Sequence, residues 1–265
     1  MGYTLISLAF WTFFVVTLFM LFFPFAIVWA ITAPFDRRRL VAHIMTSAWA
    51  GLYIAVNPMW HLRVTGREKL PWRGRAVLVA NHASLIDILV VYGLYKPFKW
   101  ISKVEVFKLP IIGWLMRMNN YIPLTRGERA SVIKMMQHCE ELLRQGEPLL
   151  FFPEGTRSED GRLKSFKDGA FQLARSTGAP VYPVAILGTA QGLPKHGLML
   201  KNSMRARVEV LDPLDPADFE SVAALRNETR ARLAAALGQA PEAQPSEPIS
   251  ETHSRDETPE SPEAV

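Results

Sequence analysis

Cysteine is nearly missing: of 265 residues, only Cys139 carries a thiol. A lone cysteine excludes the disulfide framework of a small secreted domain. It also leaves no close-spaced set of four Cys and His ligands for a structural zinc site. The six histidines, at 43, 61, 82, 138, 196 and 253, are scattered and form no His-Glu-x-x-His pair. There is no Gly-x-Ser-x-Gly elbow, which speaks against a serine hydrolase. Charge is absent from residues 1–35, and no internal repeat is visible.

Against these absences, 49% of the chain is apolar, enough to build a core. The formal charge is +5, but it is unevenly spread. Residues 241–265 hold six Glu, one Asp and one Arg with five Pro, so this −6 tail leaves +11 on residues 1–240. Such a tail cannot bury enough surface to order itself, and reads as a solvated tether over 239–265.

Residues 4–33 form an apolar run of 30, broken only by Pro24. About 20 suffice to cross a bilayer. A signal peptide would have a basic start and a run of roughly 7–15, so the stretch reads as an uncleaved membrane anchor. Arg37, Arg38 and Arg39 follow it, which places that end in the cytosol by the positive-inside rule. A second, milder uncharged run covers Leu40 to Trp60. Residues 1–60 are therefore expected to be a membrane-embedded motif of one or two helices. The next basic cluster, Arg63, Arg67, Lys69, Arg73 and Arg75, keeps the following domain cytosolic in either case.

Residues 61–238 read as a single α/β domain with a mostly parallel or mixed sheet. Short apolar runs at 76–80, 99–102, 148–152, 181–187 and 205–210 alternate with helical patterns at 84–95, 129–144, 168–176 and 216–237. Cys139 falls on the apolar stripe of the 129–144 helix and is expected in the core.

Ligands in open α/β sheets bind beyond the carboxyl ends of strands. Two informative stretches lie there. Asn81-His82-Ala83-Ser84-Leu85-Ile86-Asp87 follows the 76–80 run. On one helix, residues five apart diverge by about 140°, so His82 and Asp87 can meet only if His82 lies in the loop and Asp87 in the first helical turn. The carboxylate would then hold one ring nitrogen and leave the other as a general base. The same residues fit a capping box, which needs no catalysis. The second stretch, Phe152-Pro153-Glu154-Gly155-Thr156-Arg157-Ser158, follows the 148–152 run. A turn at Gly155, hydroxyls, and the fork of Arg157 outline an anion-binding loop. Arg126 and Lys103 each follow apolar segments as well, and singly would pass for surface charges.

In combination these blocks resemble the glycerolphosphate acyltransferase family, and within it the 1-acyl-sn-glycerol-3-phosphate acyltransferases. Asn81-His82 to Asp87 matches the first block. Tyr121 to Arg126 resembles the second, Phe152 to Ser158 the third, and Val181-Tyr182-Pro183-Val184 the fourth. The resemblance spans about residues 60–210 and includes Phe166-Lys167-Asp168-Gly169-Ala170; the acidic tail lies outside the pattern.

It implies acyl transfer from a thioester, acyl-coenzyme A or acyl carrier protein, to the 2-hydroxyl of lysophosphatidic acid. No metal or cofactor is implied. His82 and Asp87 would be catalytic. Lys103, Arg126 and Arg157 would hold the phosphate, with Gly155 and Thr156 shaping the loop. Glu154 is assigned to acceptor binding in the family; beside a phosphate it is expected instead to orient an arginine or accept from the glycerol. Asn81 and Pro183 would be structural positions near the site. Membrane lipids are the expected partners, with the catalytic domain on the cytosolic side of an inner or cytoplasmic membrane. The rival readings are an acyltransferase for another lysophospholipid or an amino-acid lipid, and an inactive lipid-binding protein. No nucleic-acid motif accompanies the basic charge.

Overall fold

The computed structural model describes residues 2–193, 199–200 and 203–240. Most of the expected acidic tail lies outside the described residues. The chain opens with α1 (Gly2–Thr32) and α2 (Leu40–Ala55). Then come β1 (Trp60–Thr65), β2 (Val77–Ala80), α3 (Ile86–Val91), β3 (Lys99–Lys103), α4 (Ile112–Met118) and β4 (Ile122–Leu124). The remainder is α5 (Arg129–Arg144), β5 (Leu149–Phe151), α6 (Gly169–Thr177), β6 (Val181–Leu187), α7 (Thr189–Gly192), β7 (Met204–Val210) and α8 (Val222–Ala236).

The seven strands form one sheet in the order β1-β7-β6-β2-β5-β3-β4. Every pairing is parallel except β6 with β7. The strands from β6 to β4 thus end at one edge, and the first three residue blocks leave the sheet there, after β2, β4 and β5; the fourth lies within β6. Side chains alternate across it. Leu78, Ala80, Leu150, Val184 and Ile186 face α1 to α4, whereas Val77, Val79, Leu149, Val181 and Ala185 face α5, α6 and α8. Burial on both faces explains why β2 and β6 read as continuous apolar runs.

Proline rarely sits inside a central strand because it cannot donate. Pro183 escapes this cost because the β6–β7 ladder begins only at Val184, opposite Val210. Pro183 thus stands where β7 has already turned away, and its carbonyl still accepts from Leu211 N at 2.9 Å.

Two expectations need correction. The 216–237 pattern is a short 3₁₀ turn at Pro216–Asp218 followed by α8, with Ser221 capping the latter through Ala224 N at 3.0 Å. The domain also extends beyond residue 238. Gln239 accepts from Leu163 N at 3.0 Å and donates to Gly161 O at 2.8 Å.

α1 is long and apolar enough to cross a membrane, and little of it is buried. It nevertheless touches the domain near both ends. Ser7 Oγ accepts from Leu200 N at 2.9 Å, and Trp29 Nε1 donates to Met118 O at 2.9 Å. Phe10 packs on Trp60, and Phe25 on Trp49 of α2. The boundary expected after residue 60 therefore separates no independent core: Phe10, Trp49 and the sheet residue Leu78 belong to the same cluster.

Candidate active site

His82 lies in the loop after β2, and Asp87 in the first turn of α3. Their separation is short: His82 Nδ1 to Asp87 Oδ2 is 2.7 Å. The same oxygen accepts from Ala83 N at 2.7 Å and Ser84 N at 2.8 Å. The other, Oδ1, accepts from Thr189 Oγ1 at 2.5 Å. Asp87 is fully buried, and these donors meet its charge in place of water. The pairing reading of Asp87 is realised, and of the capping box only the half that Asp87 supplies. Its carboxylate reaches back to the helix start while it holds the imidazole. Ser84 Oγ completes no capping box; it accepts from Ile86 N and donates to Leu193 O.

The loop after β5 grips His82 from the other side. His82 N donates to Glu154 Oε1 at 2.9 Å, and Ser158 N donates to His82 O at 2.8 Å. Phe152 stacks on the imidazole with ring centroids 4.2 Å apart. Main chain, one ring nitrogen and a ring face are thus all fixed, and Nε2 is the remaining nitrogen for chemistry. The side chain is 16% exposed.

Glu154 departs from the expectation of an arginine or glycerol contact. Its second oxygen accepts from Lys164 N at 3.2 Å, so both oxygens bind main-chain N–H groups. Burial pushes its carboxyl above the usual range, and the N–H groups of His82 and Lys164 oppose that shift. Gly155 holds φ +71°, a left-handed turn that favours glycine. A Cβ there would lie 3.2 Å from Cε of Lys167, so the Lys167 side chain lies over the turn. Thr156 is exposed. Arg157 carries a buried Nη1 with no hydrogen-bond partner, while its carbonyl accepts from Lys164 Nζ at 3.2 Å. The loop thus carries an unpartnered guanidinium nitrogen and is approached at Gly155 and at the Arg157 carbonyl by two lysine side chains, a combination suited to an anion.

Lys103 ends β3 and Arg126 lies two residues past β4, both exposed at this same edge. With strands spaced by about 4.8 Å, they stand two and three strands from β2, on the far flank of the Arg157 loop. Asn81 clamps β2 to β6: Nδ2 donates to Ile186 O, and Oδ1 accepts from Ile186 N, each at 2.8 Å. Cys139 is fully buried and its thiol is pushed up to about 12, which removes it as a nucleophile. Among the described residues, no cluster of His, Cys, Asp or Glu is arranged to hold a metal.

Sequence reasoning missed Thr189, Phe152 in its stacking role, Lys164 and Lys167. Phe152 and Lys167 carried a signal, through the third block and the Phe166–Ala170 match. Thr189 is joined to Asp87, and Lys164 to Glu154 and Arg157, by folding alone.

A sheet with this dyad at a strand end and cations fanned along the same edge belongs to an acyl-transfer class. Residues 61–187 match the family described as Acyltransferase, and this part of the chain is a domain of that family. More particularly, the chain is 39% identical over 201 residues to the chloroplastic 1-acyl-sn-glycerol-3-phosphate acyltransferase of Arabidopsis thaliana, covering 76% of this chain and 55% of that one. It is 41% identical over 182 residues to a 1-acyl-sn-glycerol-3-phosphate acyltransferase of Chlamydomonas reinhardtii, covering 66% and 54%. The chain thus spans about half the length of these curated relatives. The crystal structure of PlsC, the 1-acyl-sn-glycerophosphate acyltransferase of Thermotoga maritima, superposes with a TM-score of 0.73 at 28% identity. That match covers 88% of this chain and 93% of the other.

Proposed function

We propose that the protein transfers an acyl chain from a thioester to the 2-hydroxyl of lysophosphatidic acid, giving phosphatidic acid. The observation that carries this reading is the 2.7 Å His82–Asp87 contact beside the unpartnered Nη1 of Arg157. With Nδ1 turned to Asp87, Nε2 takes the acceptor hydroxyl proton as that oxygen attacks the thioester carbonyl. Asp87 stabilises the imidazolium that forms. The tetrahedral intermediate collapses with cleavage of the carbon–sulfur bond. The thiolate leaves, and the imidazolium returns the proton to it. General-base assistance of this kind contributes roughly 10²–10⁴-fold.

The phosphate lies against Arg157, one strand from His82, with Lys167 over the turn at Gly155. Lys103 and Arg126 supply positive charge from the flank. Acyl-coenzyme A and acyl carrier protein are both anionic, and the basic surface suits either.

The two contacts of α1 bear on localisation. From Ser7 to Trp29, α1 runs about 33 Å at 1.5 Å per residue, roughly the thickness of the hydrocarbon core. A helix crossing that core would drag the attached domain surface in with it. Both helices therefore lie in the plane of one leaflet, the α1 face bearing Phe19, Met20, Phe23 and Ile27 towards the acyl chains. The site then meets its lipid acceptor at the bilayer surface, on the cytosolic side.

The test uses detergent-solubilised protein beside His82→Ala. Each is given acyl-coenzyme A or acyl carrier protein as donor, with a panel of lysophospholipids, and diacyl product is followed by mass spectrometry. Product from lysophosphatidic acid that disappears in the folded variant supports the reaction and the base. Product from another headgroup would overturn the acceptor. Silence with both donors would overturn the activity.

A further inference from the structure

The basic cluster between Arg63 and Arg75 has no part in the mechanism above. Lys69 is paired with Asp212 at 2.7 Å, and Arg75 donates to Thr177 O. Arg67 is in no ion pair among the described residues. It lies on a groove of about 480 Å³ whose apolar walls are Ile44 of α2 and Leu94. Trp72 and Tyr95 form its aromatic rim, and Glu68 is its carboxylate. The ammonium of Lys96 sits 4.6 Å from the centre of the Trp72 ring.

Three observations say what this groove faces. First, Trp72 is 53% exposed, a large aromatic area left in the open beside two cations. Aromatics with an apolar body and a polar tip collect at the headgroup level of membranes. Second, Tyr95 holds φ +49°, a left-handed conformation that bulky residues rarely adopt. That turn sets its hydroxyl against α2, 3.0 Å from where a Cβ on Gly51 would lie. Third, the groove continues into the lipid-facing side of α2. Val41, Ala48, Leu52 and Ala55 recur at helical spacing and are exposed, and Ile44 stands next to them on the helix.

We propose that the groove seats the headgroup of an anionic glycerophospholipid of the surrounding leaflet, with the acyl chains along the α2 stripe. Arg67 and Lys96 meet the phosphate, and Trp72 and Tyr95 flank the glycerol. The inference rests on the in-plane reading of α1 and α2. It is not a second view of the acceptor site. Trp72 leads into the start of β2 and Lys96 into the start of β3, whereas His82 leaves the far end of β2. The bound lipid fixes how the domain sits on the bilayer.

The experiment uses the full chain in nonionic detergent, titrated with phosphatidylglycerol or phosphatidylcholine, and bound lipid is counted by native mass spectrometry. Arg67→Gln with Lys96→Gln is expected to lower phosphatidylglycerol retention about thirtyfold, leaving phosphatidylcholine retention and detergent-phase acyl transfer unchanged. Equal retention in both proteins overturns the site. A second measurement keeps the two readings apart. Leu52→Cys, labelled with an environment-sensitive dye, reports on α2, since the native Cys139 is buried. A blue shift in vesicles with no effect of the double variant leaves the membrane reading standing and removes the groove. No blue shift removes both.

Discussion

At the scale of single residues, the site is built around one imidazole whose surroundings are almost entirely protein. Glu154 holds it through the backbone, so its removal should move the turnover step and leave acceptor affinity alone. Glu154→Gln keeps the shape but sets an amide NH₂ against one of two N–H donors. A misplacement of about 1 Å costs up to 10²-fold, and we expect kcat to fall by about that with the acceptor KM unchanged. A raised KM with kcat intact would return Glu154 to acceptor binding. Thr189 acts on Asp87 in the same indirect way. Thr189→Val leaves a buried carboxylate oxygen without its donor, which costs about 1–3 kcal/mol of stability and should lower kcat roughly tenfold. Thr189→Ser restores the hydroxyl and should restore both thermal stability and rate; failure of that rescue would show the threonine to matter only for packing. The His82–Asp87 pair was legible because a five-residue spacing permits contact only across a loop-to-helix junction. The grip of Glu154 was not legible, because its partners are main-chain N–H groups that leave no mark in a sequence. Thr189 lies 102 residues from its partner, beyond any local pattern.

At the scale of elements, the turn between α1 and α2 is locked onto the sheet. Arg38 pairs with the buried Glu147 at 2.5 Å and donates to Gly146 O at 2.7 Å. Lys99, at the start of β3, donates to Arg38 O at 2.7 Å and to Asn119 O at 3.0 Å. The arginine triplet that read as a topology signal is thus partly structural. Arg39 donates to Ala33 O and lies over the Trp29 ring. Burial depresses the Lys99 ammonium to about 8 from 10.5, with Glu147 opposing the shift. Between these values the unfolded chain binds the proton that the folded chain has released, so the Lys99 contribution to stability rises with pH. Its upper limit is about 3 kcal/mol. Thermal unfolding of wild type and Lys99→Met from pH 7.5 to 10 should therefore show a gap that widens in favour of wild type. A gap independent of pH would mean that Lys99 titrates normally. Strong periodicity made α5 readable to the residue, and an unbroken apolar run did the same for β6. β4 carries too little pattern to read because it is a three-residue edge strand, whereas β1 does alternate apolar and polar residues from Trp60 to Thr65 and is hidden by the basic cluster that begins at Arg63. The 216–237 pattern looked continuous because apolar spacing carries on across Phe219, where the backbone is extended.

At the scale of the whole molecule, composition separated a greasy N-terminus from a catalytic domain, and folding joins them. α1 supplies Phe10 and Phe25 to the cluster that holds one face of the sheet, and its polar contacts fall on Leu200 and Met118. An anchor tethered by one end could be cut away to release a soluble enzyme. One that forms part of the core cannot, because its loss opens Trp49, Tyr53 and Trp60 to water together. Burying an aromatic side chain of this kind stabilises by about 1.5–3 kcal/mol, and the sum for three rivals the entire stability of a typical domain. Removal of residues 2–35 should therefore give aggregated protein lacking transfer activity even with detergent present. A monomeric, active product from that deletion would show that α1 is a tether after all. The opposite end gives the contrasting case. A chain stopped after Ala240 keeps the Gln239 clamp on Gly161 and Leu163 and should melt and turn over as the full chain does. Stopping after Gly238 removes two hydrogen bonds, each contributing about 0.5–1.5 kcal/mol. Those bonds hold the loop that presents Lys164 to Glu154 and Arg157, so the shorter chain should lose kcat as well as melting temperature. Equal behaviour of the two truncations would place the end of the working domain at residue 238 and leave Gln239 without a role.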